Sequence, residues 1–199
     1  MATTCNLTIE SLAASDLCEN NMSGVKVMYF IPKDDVTAIN VERPATLAGF
    51  EDFVTLGDSQ LADNAIEVGT GKGFAKLFCA KDLGELKYAA QGTSLGGRSL
   101  KATLEVFHPK FKKKLLGFLS VAINLELLIV VKLNNGEYHL LGDIDRGATL
   151  ADGVEATSGK AVTDDNGATL NFEYDTPFAQ IMYDGWDPTD ATVGLPMIS

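Results

Sequence analysis

The sequence predicts a mainly β chain of the α+β class: an antiparallel β-sandwich or partly open barrel with one flanking amphipathic α-helix. Three observations lead to this prediction. The segment 99–107 alternates apolar and polar side chains, which is typical of a half-buried strand. Asn135 and Gly136 separate two apolar runs, and Asn-Gly supplies the positive φ angles of a tight hairpin turn. Between these strands, apolar residues recur with helical spacing.

Short strands are predicted along most of the chain, separated by turn residues. The first ends at Pro32, because proline cannot donate a hydrogen bond inside a sheet. A second hairpin is predicted around Asp164–Gly167, whose Asn-Gly pair repeats the turn chemistry of the first. The predicted strands are 24–31, 66–80, 84–91, 99–107, 125–133, 137–141, 154–162, 168–174 and 179–183.

We expect a single domain over residues 1–199, since 199 residues of which 46% are apolar can bury a sizeable core. Two parts depart from the strand pattern. Residues 33–65 are predicted to form a long loop or hairpin excursion, and a tract of this length suggests contact with a neighbouring subunit. Residues from about 184 to 199 are predicted to form a C-terminal acidic arm.

The helix is predicted to begin near residue 109 or 110, because a proline such as Pro109 fits a first helical turn. Four lysines lie at this end of the predicted helix, where each cation destabilises the helix by roughly 0.3–1 kcal/mol through its interaction with the helix dipole. The lysines form either a solvated face or a basic surface for an acidic partner such as another copy of the chain. These lysines are Lys110, Lys112, Lys113 and Lys114, and the expected buried face is Phe111, Leu115, Phe118, Leu119, Ala122 and Ile123.

Negative charge is concentrated in the last third of the chain. Residues 143–199 carry eleven acidic side chains against Arg146 and Lys160, a balance of −9 within a total of −11. Such a surface repels nucleic-acid phosphates, which argues against DNA binding unless repulsion is itself useful, as in a conduit. The acids are Asp143, Asp145, Asp152, Glu155, Asp164, Asp165, Glu173, Asp175, Asp184, Asp187 and Asp190.

The sequence contains no recognisable catalytic, cofactor or metal motif. The glycines of 69–73 do not match a phosphate-binding loop and are expected to mark a bulge or a close strand crossing. His108 and His139 are expected in capping or surface roles, and Asp143-x-Asp145 in a turn with exposed carboxylates. We therefore expect a protein that is not an enzyme and has no cofactor.

The three cysteines, Cys5, Cys18 and Cys79, are odd in number and form no Cys-x-x-Cys pair, so we expect reduced thiols with Cys79 in a core strand. No secretory signal is recognisable, and the apolar tract 115–131 is interrupted by polar residues. The sequence therefore predicts folding in a cytoplasm and no membrane span.

The order of these strands, helix and hairpins resembles the tail-tube proteins of tailed bacteriophages, in the divergent form found in phages and prophages of Bacteroides-like hosts. The resemblance covers about residues 18–186. The segment 33–65 and the tail after Trp186 have no counterpart in that family. The matching segments are 71–78 (GKGFAKLF), 99–131, 138–143 (YHLLGD) and 158–185.

The resemblance implies a tail-tube-like subunit that forms hexameric rings, whose inner strands close into a barrel and whose stacking makes a hollow tube. Its partners would be itself and other tail proteins such as a terminator, sheath or baseplate, with DNA only as passing cargo. The implied location is the virion tail, assembled in the host bacterial cytoplasm. An acidic lumen would keep the DNA mobile, and closure would remove exposed strand edges.

On this hypothesis, the lysines of 110–114 pair with acids of an adjacent subunit. The candidate acids for the lumen or for ring-to-ring contacts are Asp143, Asp145, Asp152, Glu155, Asp164, Asp165, Glu173 and Asp175. The alternatives are another virion protein such as a capsid decoration or fibre-base protein, a pilin-like subunit, and a small-molecule-binding or enzymatic domain.

Overall fold

A computed structural model describes residues 23–41, 51–57, 65–80, 82–93, 97–161, 164–182, 186–189 and 194–198. The chain is mainly β, with 51% strand, which confirms the predicted class. The described residues contain one α-helix, α1 (Lys113–Ala122), two short 3₁₀ helices (Lys33–Asp35 and Glu51–Phe53) and thirteen strands. These are β1 (Val25–Pro32), β2 (Val36–Ile39), β3 (Thr55–Leu56), β4 (Ile66–Val68), β5 (Ala75–Phe78), β6 (Gly84–Gln91), β7 (Ser99–Pro109), β8 (Glu126–Leu133), β9 (Tyr138–Leu141), β10 (Ala148–Leu150), β11 (Glu155–Thr157), β12 (Gly167–Thr176) and β13 (Ile181–Met182).

Eleven of these strands form one mixed sheet, which is not closed. Its main path is β3-β13-β9-β8-β10-β12-β7-β6, while β1 joins β8 to β5, and β11 pairs with β12. β2 and β4 make a separate two-stranded sheet. All strand pairs in the described residues are antiparallel except β13 with β3.

β8 is the centre of the fold, and residues Leu127–Val131 are buried on both of its faces. Leu127, Ile129 and Val131 pack in one core with inward side chains of β1, β7 and β12, so the sheet bends back over itself. Leu128 and Val130 pack in a second core on the opposite face. A continuous apolar run is the expected sequence of a strand buried on both sides.

Both predicted hairpins are present. β8 pairs with β9 from Ile129↔Leu141 to Lys132↔Tyr138, and Gly136 in the turn has φ +110. β11 pairs with β12 from Glu155↔Thr169 to Thr157↔Gly167, so its first strand is shorter than the predicted 154–162.

The strand predicted at 66–80 is divided in two, because β4 pairs with β2 whereas β5 pairs with β1. The glycine-rich link between them confirms the predicted close crossing. A Cβ atom on Gly73 would lie 2.6 Å from the backbone nitrogen of Ile198, so only glycine allows these two segments of the chain to cross at this distance.

The prediction that the helix begins at residue 109 or 110 is wrong. Pro109 is instead the last residue of β7, where it pairs with Gly167. The chain then turns at Lys110, which has φ +79, and Asn166 accepts hydrogen bonds from the backbone N–H groups of Lys110 (2.7 Å) and Phe111 (2.8 Å). These contacts to a distant loop extend the strand past the point where the local sequence favours a helix.

As a result α1 is shorter than predicted and its buried face is narrower. Leu115 and Ala122 are buried, and Phe118 packs on Phe30 with ring centroids 5.0 Å apart. Ile123, predicted on the buried face, is instead 67% exposed, and it is the C-cap residue of α1.

The described parts of the two irregular segments belong to the body of the protein. Within 33–65, β2 pairs with β4 and β3 pairs with β13, while residues 42–50 and 58–64 lie outside the described residues. In the predicted acidic arm, Trp186 and Leu195 are buried in the second core. Of the strand predicted at 179–183, only Ile181–Met182 is formed among the described residues.

Candidate assembly surface

The outward side of β11, β12, β7 and β6 is a sheet face rich in carboxylates, called here the acidic face. Along β12, Leu170, Phe172 and Tyr174 point into the core, so the residues between them point outward. The outward side chains are exposed or half-buried. The charged members of the acidic face are Glu85, Glu105, Glu155, Glu173 and Asp175, with Lys87 and Lys101.

Two of these carboxylates are direct neighbours, since Glu85 pairs in register with Glu105. Like charges placed opposite each other destabilise a sheet. Lys87 offsets part of this repulsion through an ion pair with Glu85 (2.6 Å), and Lys101 pairs with Glu173 (2.7 Å). Five carboxylates against two lysines leave the acidic face negative.

A shallow hollow of about 450 Å³ crosses one end of the acidic face. Glu85, Glu105, Glu155 and Asp165 contribute to its walls. Of the eight candidate acids, Glu155, Glu173 and Asp175 therefore lie on the acidic face, and Asp165 lines the hollow at its end. Sequence reasoning missed Glu85 and Glu105, although the alternation of the two strands places both on the polar side.

The other four candidate acids, Asp143, Asp145, Asp152 and Asp164, lie in loops. Asp143 organises its turn, because its carboxylate accepts hydrogen bonds from the N–H groups of Asp145 (2.8 Å) and Arg146 (2.7 Å) and from the Tyr174 hydroxyl (2.8 Å). It is half-buried, whereas the sequence suggested an exposed carboxylate.

Asp164 has a similar role in the loop before β12. Its carboxylate accepts hydrogen bonds from the backbone N–H groups of Ala161 and Lys160, each 2.8 Å long. These two bonds hold the pKa of Asp164 below its ordinary value. The carboxylates of Asp143 and Asp164 therefore shape their own loops.

The acidic face ends at an open strand edge. Phe107 donates its N–H to the carbonyl oxygen of Leu83 (3.1 Å), so the odd-numbered residues of β7 direct their backbone groups toward β6. Their partners in β6 are also odd-numbered, and backbone direction alternates along a strand, so Leu86, Tyr88 and Ala90 direct their N–H and C=O groups away from β7. No described strand pairs with this side of β6.

β11 and β5 also have one unpaired side among the described strands. Ala151 donates its N–H to Asn171, which shows that the odd-numbered residues of β12 face β10 and β11. By the same alternation, the backbone groups of Ala156 point away from β12. The acidic face is therefore bounded by unpaired backbone groups on both sides, at β6 and at β11.

A second surface feature is a cavity of about 690 Å³ between β5 and α1, called here the basic groove. Phe30, Leu115 and Phe118 contribute its apolar part. Lys110, Lys112 and Lys114 line it as well, whereas Lys113 does not. The structure thus brings three of the four predicted lysines together beside apolar side chains.

The positive charge of the basic groove is not neutralised within the described residues. None of the four lysines forms an ion pair with a described residue. α1 has no acidic residue in its first turn, and Lys112 at its N-cap position makes no side-chain capping hydrogen bond. The positive end of the helix dipole therefore adds to the lysine charges.

His139 lies in the interior, which corrects the expected surface role. It is 6% exposed, and its Nδ1 atom is 3.1 Å from the Tyr88 hydroxyl. Glu137 Oε2 is 3.5 Å from Nε2, which is beyond good hydrogen-bonding distance. Burial lowers the pKa of His139, and the opposing influence of Glu137 is smaller because that carboxylate is half-exposed.

Within the described residues, no group of three His, Cys, Asp or Glu side chains is arranged to hold a metal ion. In the same part of the chain, no helix combines the length and the apolarity required to cross a bilayer. Comparisons with protein-family models, curated proteins and solved structures find no match to this chain.

Proposed function

We propose that this chain is the subunit of a bacteriophage tail tube, which assembles into stacked hexameric rings that conduct DNA during ejection. In this proposal the acidic face lines the lumen. The observation that carries this proposal is the acidic face, which is an outward sheet surface with net negative charge and with unpaired strand edges on both sides. The resemblance of the sequence to tail-tube proteins supports the same function.

The two edges suit a ring. β6 on one side and β11 on the other are different surfaces, so pairing β6 of one subunit with β11 of the next makes a head-to-tail contact. Head-to-tail contacts form a closed ring when the rotation between subunits divides a full turn. Closure would satisfy the backbone groups of Leu86, Tyr88, Ala90 and Ala156 and remove an edge prone to aggregation.

The charge suits a conduit. Within a closed ring the carboxylates of all subunits would surround one bore, and their summed field would repel DNA phosphates. Repulsion keeps DNA from adhering to the wall, because protein–DNA attachment depends mainly on cations contacting phosphates. The exposed loop acids Asp145 and Asp152 and the lysines would then be available for contacts between subunits and rings.

Negative-stain electron microscopy of the purified protein, combined with sedimentation velocity, tests this proposal. We expect rings or tubes whose proportion rises with protein concentration. A monomer that stays unchanged as concentration increases would overturn the proposal. Compact trimers would favour a capsid decoration protein.

A further inference from the structure

We propose that the basic groove binds a free fatty acid or a closely similar molecule, with one hydrocarbon chain and an anionic head group. The hydrocarbon chain packs on the apolar side chains of the groove, and the head group lies among Lys110, Lys112 and Lys114. The basic groove shares no residue with the acidic face, so this binding does not depend on the proposed assembly.

The apolar part of the groove suits a hydrocarbon chain. Leu77 and Leu115 are buried, and Phe30 and Phe118 are half-buried. Phe78 lines the same groove and is 64% exposed, so apolar surface remains in contact with water. The volume of about 690 Å³ lies within the range of roughly 300–1,000 Å³ that is usual for small-molecule sites. A bound chain would remove this apolar surface from water.

The charge of the groove suits an anion. Its described lining contains Lys76, Lys110, Lys112 and Lys114, and no aspartate or glutamate. None of these lysines forms an ion pair with a described residue. The unpaired backbone N–H groups at the start of α1 add positive potential. Uncompensated cations beside apolar side chains complement a molecule whose apolar body ends in an anion.

Lys110 has an unusual backbone conformation for a lysine. Its φ of +79 lies in the left-handed region, which residues other than glycine, asparagine and aspartate rarely adopt. The two hydrogen bonds from the backbone N–H groups of Lys110 and Phe111 to Asn166 hold it there. Backbone outliers of this kind cluster at ligand sites. The fold therefore retains a lysine at the groove where asparagine or glycine would be less strained.

The backbone beside the groove favours a hydrocarbon chain over an added peptide strand. Phe74 donates its N–H to Pro196 (2.7 Å) and accepts a hydrogen bond from the N–H of Ile198 (3.0 Å). The carbonyl oxygen of Phe78 lies 2.9 Å from His108 Nδ1. These backbone groups therefore already have partners within the chain. A peptide strand would bury its own N–H and C=O groups with few partners, whereas a hydrocarbon chain has no such groups.

Isothermal titration calorimetry of the full-length protein with three ligands tests the site. Decanoate has the chain and the carboxylate, decanol has the same chain without the charge, and inorganic phosphate has charge without a chain. We expect decanoate to bind with about tenfold or higher affinity than either of the others, because it alone uses both parts of the groove. Equal affinity for decanol, or equal affinity for phosphate, overturns the inference.

The double variant Lys110→Asn, Lys114→Gln removes two charges from the groove. Asparagine adopts the left-handed conformation more readily than lysine, so the melting temperature should stay unchanged or rise. The affinity for decanoate should fall by about tenfold or more. A role of these lysines in stability alone would not produce this combination.

The matched control is Lys113→Gln, Lys160→Gln. It removes the same charge from two exposed positions that do not line the groove. The affinity for decanoate should change less than about threefold, because exposed charges outside the site are screened by salt. Equal losses of affinity in the two double variants overturn the inference.

A substitution at Ala75 tests the apolar part of the groove. Ala75 lines the groove and lies on the same side of β5 as Leu77. Ala75→Phe fills the groove with a ring and should abolish decanoate binding, while Ala75→Ser should retain it. Circular dichroism shows whether each variant is folded, and the lysine variants decide the result if Ala75→Phe does not fold. Wild-type affinity in folded Ala75→Phe overturns the inference.

Other occupants of the groove give different results. An affinity for decanoate that falls as protein concentration rises would show that a second copy covers the groove. Binding to phosphatidylglycerol vesicles without binding of free decanoate would assign the groove to a membrane surface. Either result overturns the fatty-acid site. Ring formation is scored separately by electron microscopy, so failure of decanoate binding leaves the proposed tail-tube function unaffected.

Discussion

At the scale of single residues, the Tyr88–His139 contact ties β6 to β9 across the core. Tyr88 belongs to the strand with the open edge, and His139 belongs to the central hairpin. Burial raises the pKa of Tyr88, so its hydroxyl stays protonated. This contact therefore ties the edge strand to the central hairpin.

His139 should make the protein less stable in mild acid. Its folded-state pKa lies below the ordinary 6.5, so the unfolded chain binds the proton more tightly. The stabilisation is complete above pH 6.5 and is lost as pH falls from there through the folded-state pKa. Urea unfolding of wild type and His139→Gln from pH 7 to about 5 should show a smaller loss of stability in the variant. Equal slopes would contradict this assignment.

Cys79 should be inert in the folded protein. It is 3% exposed, and burial raises the pKa of its thiol to about 12, so almost no thiolate forms at neutral pH. In a Cys5→Ser, Cys18→Ser background, a colourimetric thiol reagent should react slowly with native protein and completely with urea-unfolded protein. Rapid reaction of the native protein would contradict the burial of this residue.

At the scale of elements, the unpaired side of β6 should be required for assembly and dispensable for folding. Ala90→Pro removes an N–H that points away from β7, so the monomer should keep its circular dichroism spectrum and melting temperature while rings and tubes are lost. Gel filtration and negative-stain microscopy measure the two effects.

Two control variants separate the loss of an outward N–H group from the effects of substitution itself and of lost strand pairing. Ala90→Ser keeps the N–H and should still assemble. Ala89→Pro removes an N–H that faces Lys101 of β7, so it should lower the free energy of unfolding by about 1 kcal/mol or more. Normal tubes from Ala90→Pro would exclude β6 as the pairing edge.

Element boundaries show where local sequence was insufficient. The Asn135–Gly136 turn was predictable because its conformation depends on the turn residues themselves. The start of α1 was not, because Pro109 is held in β7 by Gly167, a partner distant in sequence. A Cβ atom on Gly167 would clash with the His108 carbonyl, so this pairing depends on a glycine that local helix rules do not consider.

At the scale of the whole molecule, the acidic face should prevent DNA from adhering. The double variant Glu85→Lys, Glu105→Lys replaces one like-charge pair by another and removes the Glu85–Lys87 ion pair. That ion pair is exposed and contributes little, so folding should change little while the face becomes positive. Assembled variant particles should retain fluorescent duplex DNA, and retention should fall steeply with rising salt. Wild-type particles should retain little DNA.

The control for this experiment is Asp145→Lys, Asp152→Lys. It makes the same change in net charge on exposed loop positions outside the acidic face. Equal DNA retention by both variants would show that total charge, and not the acidic face, governs adherence.

The sequence by itself determined the mainly β class, both hairpins and the segment that carries the excess negative charge. Each of these depends on residues that are close together in the sequence: alternating side chains, turn residues and clustered acidic residues. Only the tertiary structure decided which charges share a surface. It placed Glu85 and Glu105 on one sheet face with Glu155 and Glu173, and it assigned Asp143 and Asp164 to their own loops. It also set Lys110, Lys112 and Lys114 beside an apolar groove. Strand register and the bend of the sheet set these neighbours, and both depend on contacts between residues far apart in the chain.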